Sequence, residues 1–237
     1  MASLMGVGVL TVLLSPEPDH TASPQTRQRE QKVVAFMDRH AHLPTMLHGA
    51  MVRIYEAVIC PFADFMSRPH WLMILLFVAL YKYGEALLGV MANPFYLDLG
   101  FSKSEIAAVS KGYGLAMTLI GGYVGGVMVA RLGIMRALLY AGIFQCLANL
   151  AFALQAMVGY SVPMLAVTIS IENLTAGMAT SAFIAYLSSL CNVAYTATQY
   201  ALLSSLMNVT RTVFAAGGGW LAESLDWTGY FVLTTFA

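Results

Sequence analysis

Five ionisable side chains sit inside apolar stretches of this chain: Lys82, Glu85, Lys111, Glu172 and Arg211. A charge at the centre of a membrane-spanning helix costs about 2.5 to 3.5 kcal/mol on insertion scales, so such residues avoid lipid, line a polar pathway or pair with one another. Lys82 and Glu85 stand three residues apart on a face with Val78 and Gly89, a spacing at which an ammonium and a carboxylate meet. Lys111 falls on a stripe with Gly114, Thr118, Gly121, Gly122 and Gly125, whose small side chains turn it towards another helix or a cavity. Glu172 lies beside Asn173 on a face with Thr168 and Thr175, and Arg211 shares a face with Ser204, Asn208 and Gly218. The cations outnumber the carboxylates by one, a balance that suits an anionic solute. Lys82, Glu85, Lys111, Glu172, Asn173, Asn208 and Arg211 are therefore candidate contacts for a solute crossing a membrane.

Other chemistries find less support in the residues. The chain has no HExxH, no Ser or Cys nucleophile paired with His and no Walker-type phosphate loop, so a membrane-embedded enzyme is a weaker alternative. The pore-loop pattern of ion channels is absent too. His40, His42 and His48 lack acidic or cysteine partners at ligand spacing, and Cys60, Cys146 and Cys191 are far apart. No metal, cofactor or disulfide framework is expected.

The elements that position these residues follow from composition. Hydrophobic residues make up 59% of the chain against 10% charged, and the mean hydropathy is +0.71. A soluble domain of this length would need far more charge on its surface, so the expected solvent is the lipid bilayer. A formal net charge of zero argues against nucleic acid as a partner.

Crossing a hydrocarbon core about 30 Å thick takes about 20 apolar residues. Five complete spans are predicted, at Trp71 to Met91, Glu105 to Val129, Met135 to Met157, Ser161 to Leu190 and Thr196 to Leu221. Residues 4 to 14 and Trp227 to Ala237 are apolar but shorter, and are read as parts of further spans in a larger protein. A signal peptide is disfavoured for the first, which lacks a basic n-region and a small-residue cleavage site. The expected organisation is the end of a preceding transmembrane helix in 1–15, a cytoplasmic linker in 16–70, and a transmembrane bundle of five complete helices and a truncated sixth in 71–237. The linker carries Pro16, Pro18 and Pro24, then an amphipathic stretch. Its apolar residues Met51, Ile54, Tyr55, Val58, Ile59, Phe62, Phe65 and Met66 oppose Arg53, Glu56 and Asp64. Such a helix either lies in the membrane interface or packs beneath the bundle.

Positive residues set the orientation, because Lys and Arg collect in cytoplasmic loops. Arg27, Arg29, Lys32, Arg39, Arg53 and Arg68 lie in the linker, and Arg131 and Arg136 in the loop after the second complete span. These are placed in the cytoplasm, with the loops near Pro94, Tyr160 and Asp226 outside. Two glycosylation sequons, at Asn173 and Asn208, fall within spans and out of reach of a glycosylating enzyme.

The loop running from Gly126 through Arg131 and Gly133 to Arg136 resembles the GxxxDRxGxxR signature of the major facilitator superfamily, with Ala130 where that family has Asp. One glycine is expected to let helices approach, the other to permit a tight turn, and the arginines to anchor the loop. A basic linker followed by six spans is also the layout of the second half of a twelve-helix facilitator. More specifically, Tyr81-Lys82-Tyr83-Gly84-Glu85-Ala86 with Asn93-Pro94-Phe95, Leu99-Gly100-Phe101-Ser102, Glu172 through Met178 with Ser181-Ala182-Phe183, and Leu190-Cys191-Asn192 with Ala197 through Ser204 resemble the AmpG-type anhydromuropeptide permeases of Gram-negative bacteria.

That resemblance implies an all-α, polytopic transmembrane bundle, the C-terminal six-helix half of a facilitator. It also implies proton-driven uptake of anhydromuropeptides from periplasm to cytoplasm across the bacterial inner membrane, with another anionic solute as the alternative. Gln199, inside one of the shared stretches, joins the candidate contacts. The implied partners are an anionic muropeptide, protons, the bilayer and an N-terminal half outside this sequence. With no histidine in any span, Glu85 and Glu172 are the candidates for carrying the proton. Lys82, one turn from Glu85, engages that carboxylate, which leaves Glu172, flanked mainly by threonine, as the better candidate.

Overall fold

The computed structural model describes residues 58–215, 219, 222 and 225–235. The apolar run at 4–14, the linker with its arginines and histidines, residues 51–57 of the amphipathic stretch, Gly217, Gly218 and Leu221 lie outside the described residues. Among the described residues every regular element is helical. In chain order these are α1 (Cys60–Met66), α2 (Trp71–Leu80), α3 (Tyr83–Asp98), α4 (Lys103–Ala108), a π-helical segment (Val109–Gly114) and α5 (Leu115–Leu132). There follow α6 (Ile134–Val158), α7 (Val162–Leu190), a 3₁₀ turn (Val193–Tyr195), α8 (Thr196–Ala215) and α9 (Trp227–Thr234).

Four helical stretches are long and apolar enough to cross a membrane: Trp71–Asp98, Lys103–Leu132, Ile134–Val158 and Val162–Leu190. They coincide with the first four predicted complete spans. Leu72, Met73, Leu119, Leu139 and Val167 on these helices are exposed, as lipid-facing residues are. The fifth, α8, has 20 residues but is more polar than the four, because Ser204, Asn208 and Arg211 interrupt its apolar surface.

The ends of the helices are written locally. Ser102 accepts from the Glu105 amide while the Glu105 carboxylate accepts from the Ser102 amide, a capping box that starts α4. Gly133, at φ +83°, makes the one-residue corner between α5 and α6, the tight turn expected of the second glycine in the loop signature. Arg131 and Arg136 are exposed on either side of it.

Two local expectations are corrected, and one span carries a turn. No loop forms at Pro94: α3 runs through it to Asp98. Phe95 and Tyr96 are buried there against Phe152, and Phe95 also meets Phe231 edge-on at 4.7 Å, packing that offsets the missing amide donor. Within the first span a two-residue turn at Tyr81 and Lys82 separates α2, which ends at Leu80, from α3, which begins at Tyr83. Tyr81 fixes the break by donating to the Leu138 carbonyl at 3.0 Å and stacking on Phe183 at 5.1 Å. Nor does Gly126 serve helix approach, for a Cβ there would meet nothing within 4 Å.

The close approach is made by other glycines. A Cβ on Gly121 would collide with the Leu174 carbonyl, one on Gly177 with the Thr118 carbonyl, and one on Gly125 would stand 2.6 Å from the Met178 carbonyl oxygen. Helices α5 and α7 therefore touch backbone to backbone, a contact that lipid tails do not drive and small residues allow.

In the described part of the amphipathic stretch Phe65 turns to the bundle, while Val58, Ile59, Phe62 and Met66 stay exposed. Phe65 is buried with Val78, Leu187 and Leu203. Asp64, expected on a solvated face, instead accepts from Gln199 Nε2 at 2.9 Å and Asn192 Nδ2 at 3.3 Å, with Arg68 at 3.5 Å. Arg68 also donates to the Leu190 carbonyl.

Candidate translocation site

The break between α2 and α3 puts Lys82 at the mouth of a cavity of about 270 Å³ between α3, α7 and α8. Lys82 Nζ donates to Glu85 Oε2 at 2.5 Å and to Thr180 Oγ1 at 2.8 Å. Arg211 lines the same cavity from α8, together with Tyr200 and Ser204. Its guanidinium reaches α3 where Gly89 leaves room: a Cβ on that glycine would stand 3.8 Å from an Arg211 nitrogen. Among the described residues no carboxylate pairs with Arg211, so the cavity holds two cations and one carboxylate.

Glu172 and Asn173 sit further along α7 in a second polar group. Asn173 Nδ2 donates to Glu172 Oε2 and to the Ile169 carbonyl, both at 2.8 Å. Its Oδ1 accepts from Thr118 Oγ1 at 2.9 Å, which ties the pair to α5 just past the π-helical segment.

Other candidates are placed elsewhere. Gln199 is wholly buried and away from the cavity. Its Nε2 donates to Asp64 and to the Pro61 carbonyl at 3.0 Å, which fastens α1 to α8, and its Oε1 accepts from the Asn192 amide at 2.7 Å, which fastens the turn after α7. Asn208 is exposed and donates to the Ser204 carbonyl one turn back. Lys111 is exposed rather than on the buried Gly114, Gly121 and Gly125 face. The π-helical segment that contains it amounts to one inserted residue, and this shifts the helical phase by roughly 100°.

Sequence reasoning missed Thr180 and Tyr200 in the cavity. Thr180 stands seven residues after Asn173, two turns along α7, and Tyr200, Ser204 and Arg211 recur on one face of α8, so the helical spacing carried the signal.

Apolar spanning helices around a cavity lined by charged groups define a multi-pass membrane protein. Residues 74–237 match the family model of the Major Facilitator Superfamily, and the chain belongs to that superfamily. It is 33% identical over 238 residues to the anhydromuropeptide permease of Escherichia coli K12, covering 100% of this chain and 43% of that protein. It is 44% identical over 182 residues to a Rickettsia conorii protein named "Putative transporter AmpG 4", covering 76% of this chain and 43% of the relative. The chain thus spans less than half the length of these curated relatives.

Proposed function

We propose that this chain supplies the C-terminal six-helix half of a secondary active carrier that takes up anhydromuropeptides from periplasm to cytoplasm, coupled to protons, across the bacterial inner membrane. The observation that carries this reading is the convergence of Lys82, Glu85 and Arg211 on one cavity between α3, α7 and α8. Two cations against one carboxylate leave a positive surplus that an anion offsets. A muropeptide brings several carboxylates for Lys82 and Arg211, and sugar and peptide groups that can hydrogen-bond Thr180, Tyr200 and Ser204. The name of the Escherichia coli relative, a permease for anhydromuropeptides, supports the same substrate class.

In this mechanism the arriving carboxylate competes with Glu85 for Lys82, which frees Glu85 as substrate binds. Glu172, held by Asn173, takes up and releases the coupling proton. The N-terminal half closes the path from its other side, and rocking of the halves about the site exposes it alternately. The linker and the Arg131 to Arg136 loop face the cytoplasm. The reading is tested by muropeptide binding to the complete carrier. Lys82→Met and Arg211→Met each weaken it in proportion to the charge lost, and unchanged affinity in both variants rejects this cavity as the site.

A further inference from the structure

The exposed position of Lys111 opens a second pocket. Asn93 and Leu97 on α3, Lys103, Ile106, Ser110 and Lys111 surround a cavity of about 390 Å³. Asn93 follows Lys82 by eleven residues, and the two cavities share no lining residue, this one lying towards the turn at Gly100. Among the described residues neither lysine has an ion pair or a hydrogen-bond partner. The acids at this end are engaged by neutral donors instead. Asp98 accepts from Trp227 Nε1 at 2.6 Å, and Glu105 accepts from Ser102 and from the Tyr160 hydroxyl at 2.7 Å. Two lysines, an asparagine and a serine thus line one open cavity that has no carboxylate in its own lining.

We infer that the pocket of Asn93, Lys103, Ser110 and Lys111 is an oxyanion-binding site, distinct from the Lys82 and Arg211 cavity. Its ligand is a carboxylate or phosphate, contributed by a solute or by a lipid headgroup. The π-helical segment builds it: a regular helix would turn Lys111 onto the face that packs against α7, where Gly114 touches Asn173. The inference does not depend on which solute the carrier moves.

The test uses the complete carrier in nanodiscs. Binding of an anhydromuramyl tripeptide is titrated in discs of phosphatidylcholine alone, and retention of phosphatidylglycerol is measured by native mass spectrometry in mixed discs. For a solute oxyanion, Lys103→Gln/Lys111→Gln weakens peptide binding about tenfold and flattens its salt dependence. Lys111→Arg preserves both, and lipid retention does not change. For a lipid phosphate, the double variant releases phosphatidylglycerol while peptide affinity stays at the parent value. Peptide affinity and lipid retention both unchanged in the double variant overturn the site. A parent that binds no peptide contradicts the proposed substrate, and the lipid measurement alone then decides the pocket.

Discussion

Lys82 and Glu85 form an ion pair across the start of α3, with Nζ and Oε2 2.5 Å apart and both side chains largely shielded from solvent. Removing one member leaves the other charged in a poorly hydrated place, so a loss of binding has to be separated from a loss of folding. Lys82→Met is expected to lower yield and to weaken muropeptide binding about tenfold. Adding Glu85→Gln restores yield but not affinity. Recovery of affinity in the double variant would show that Lys82 serves only to neutralise Glu85.

The glycines of α5 divide by what lies opposite them. Gly121→Ala and Gly125→Ala push a methyl group into the backbone of α7, an overpacking cost of about 1–3 kcal/mol each. Gly126→Ala points into open space and leaves stability unchanged. Melting of the detergent-solubilised carrier checks this, and a Gly126 variant that melts as low as Gly121→Ala would refute the assigned helix contact.

Glu172→Gln keeps the hydrogen-bonding outline of the side chain while removing its capacity to exchange a proton. The variant is expected to exchange labelled muropeptide across vesicle membranes at the parent rate yet fail to accumulate it under an imposed proton gradient. Accumulation at the parent rate, still sensitive to a protonophore, places the coupling group elsewhere.

Asp64 and Gln199 fasten α1 to α8 through a buried amide. Gln199→Ala strips Asp64 of a donor and exposes the Asn192 amide, at a cost of about 1–3 kcal/mol. Cys191, half-buried beside this network and donating to the Leu187 carbonyl, is expected to react faster with a maleimide in the variant. An unchanged labelling rate would mean that the clamp holds without Gln199.

Much of this arrangement was legible in the residues. The spans were visible because about 20 apolar residues in a row admit few other readings, and the Lys82 and Glu85 pair because three residues bring side chains onto one helical face. The break at Tyr81, the π-helical segment at Lys111 and the continuation of α3 through Pro94 were not. Each is decided by tertiary partners: the Leu138 carbonyl and Phe183 for Tyr81, Asn173 for the turn at Gly114, and Phe152 and Phe231 for Phe95. The bonding of Gln199 was hidden for a related reason, since a polar residue in an apolar helix can face a path or satisfy a neighbouring loop, and its three partners are far away in sequence or across a turn.

The most direct measurement is uptake of a labelled N-acetylglucosaminyl-anhydromuramyl tripeptide by cells whose only route for it is the complete carrier. The account predicts accumulation above the external concentration, abolished by a protonophore and by Lys82→Met/Arg211→Met in protein that still reaches the membrane. Equilibration without accumulation, indifferent to the protonophore, or full accumulation by the double variant, would contradict it.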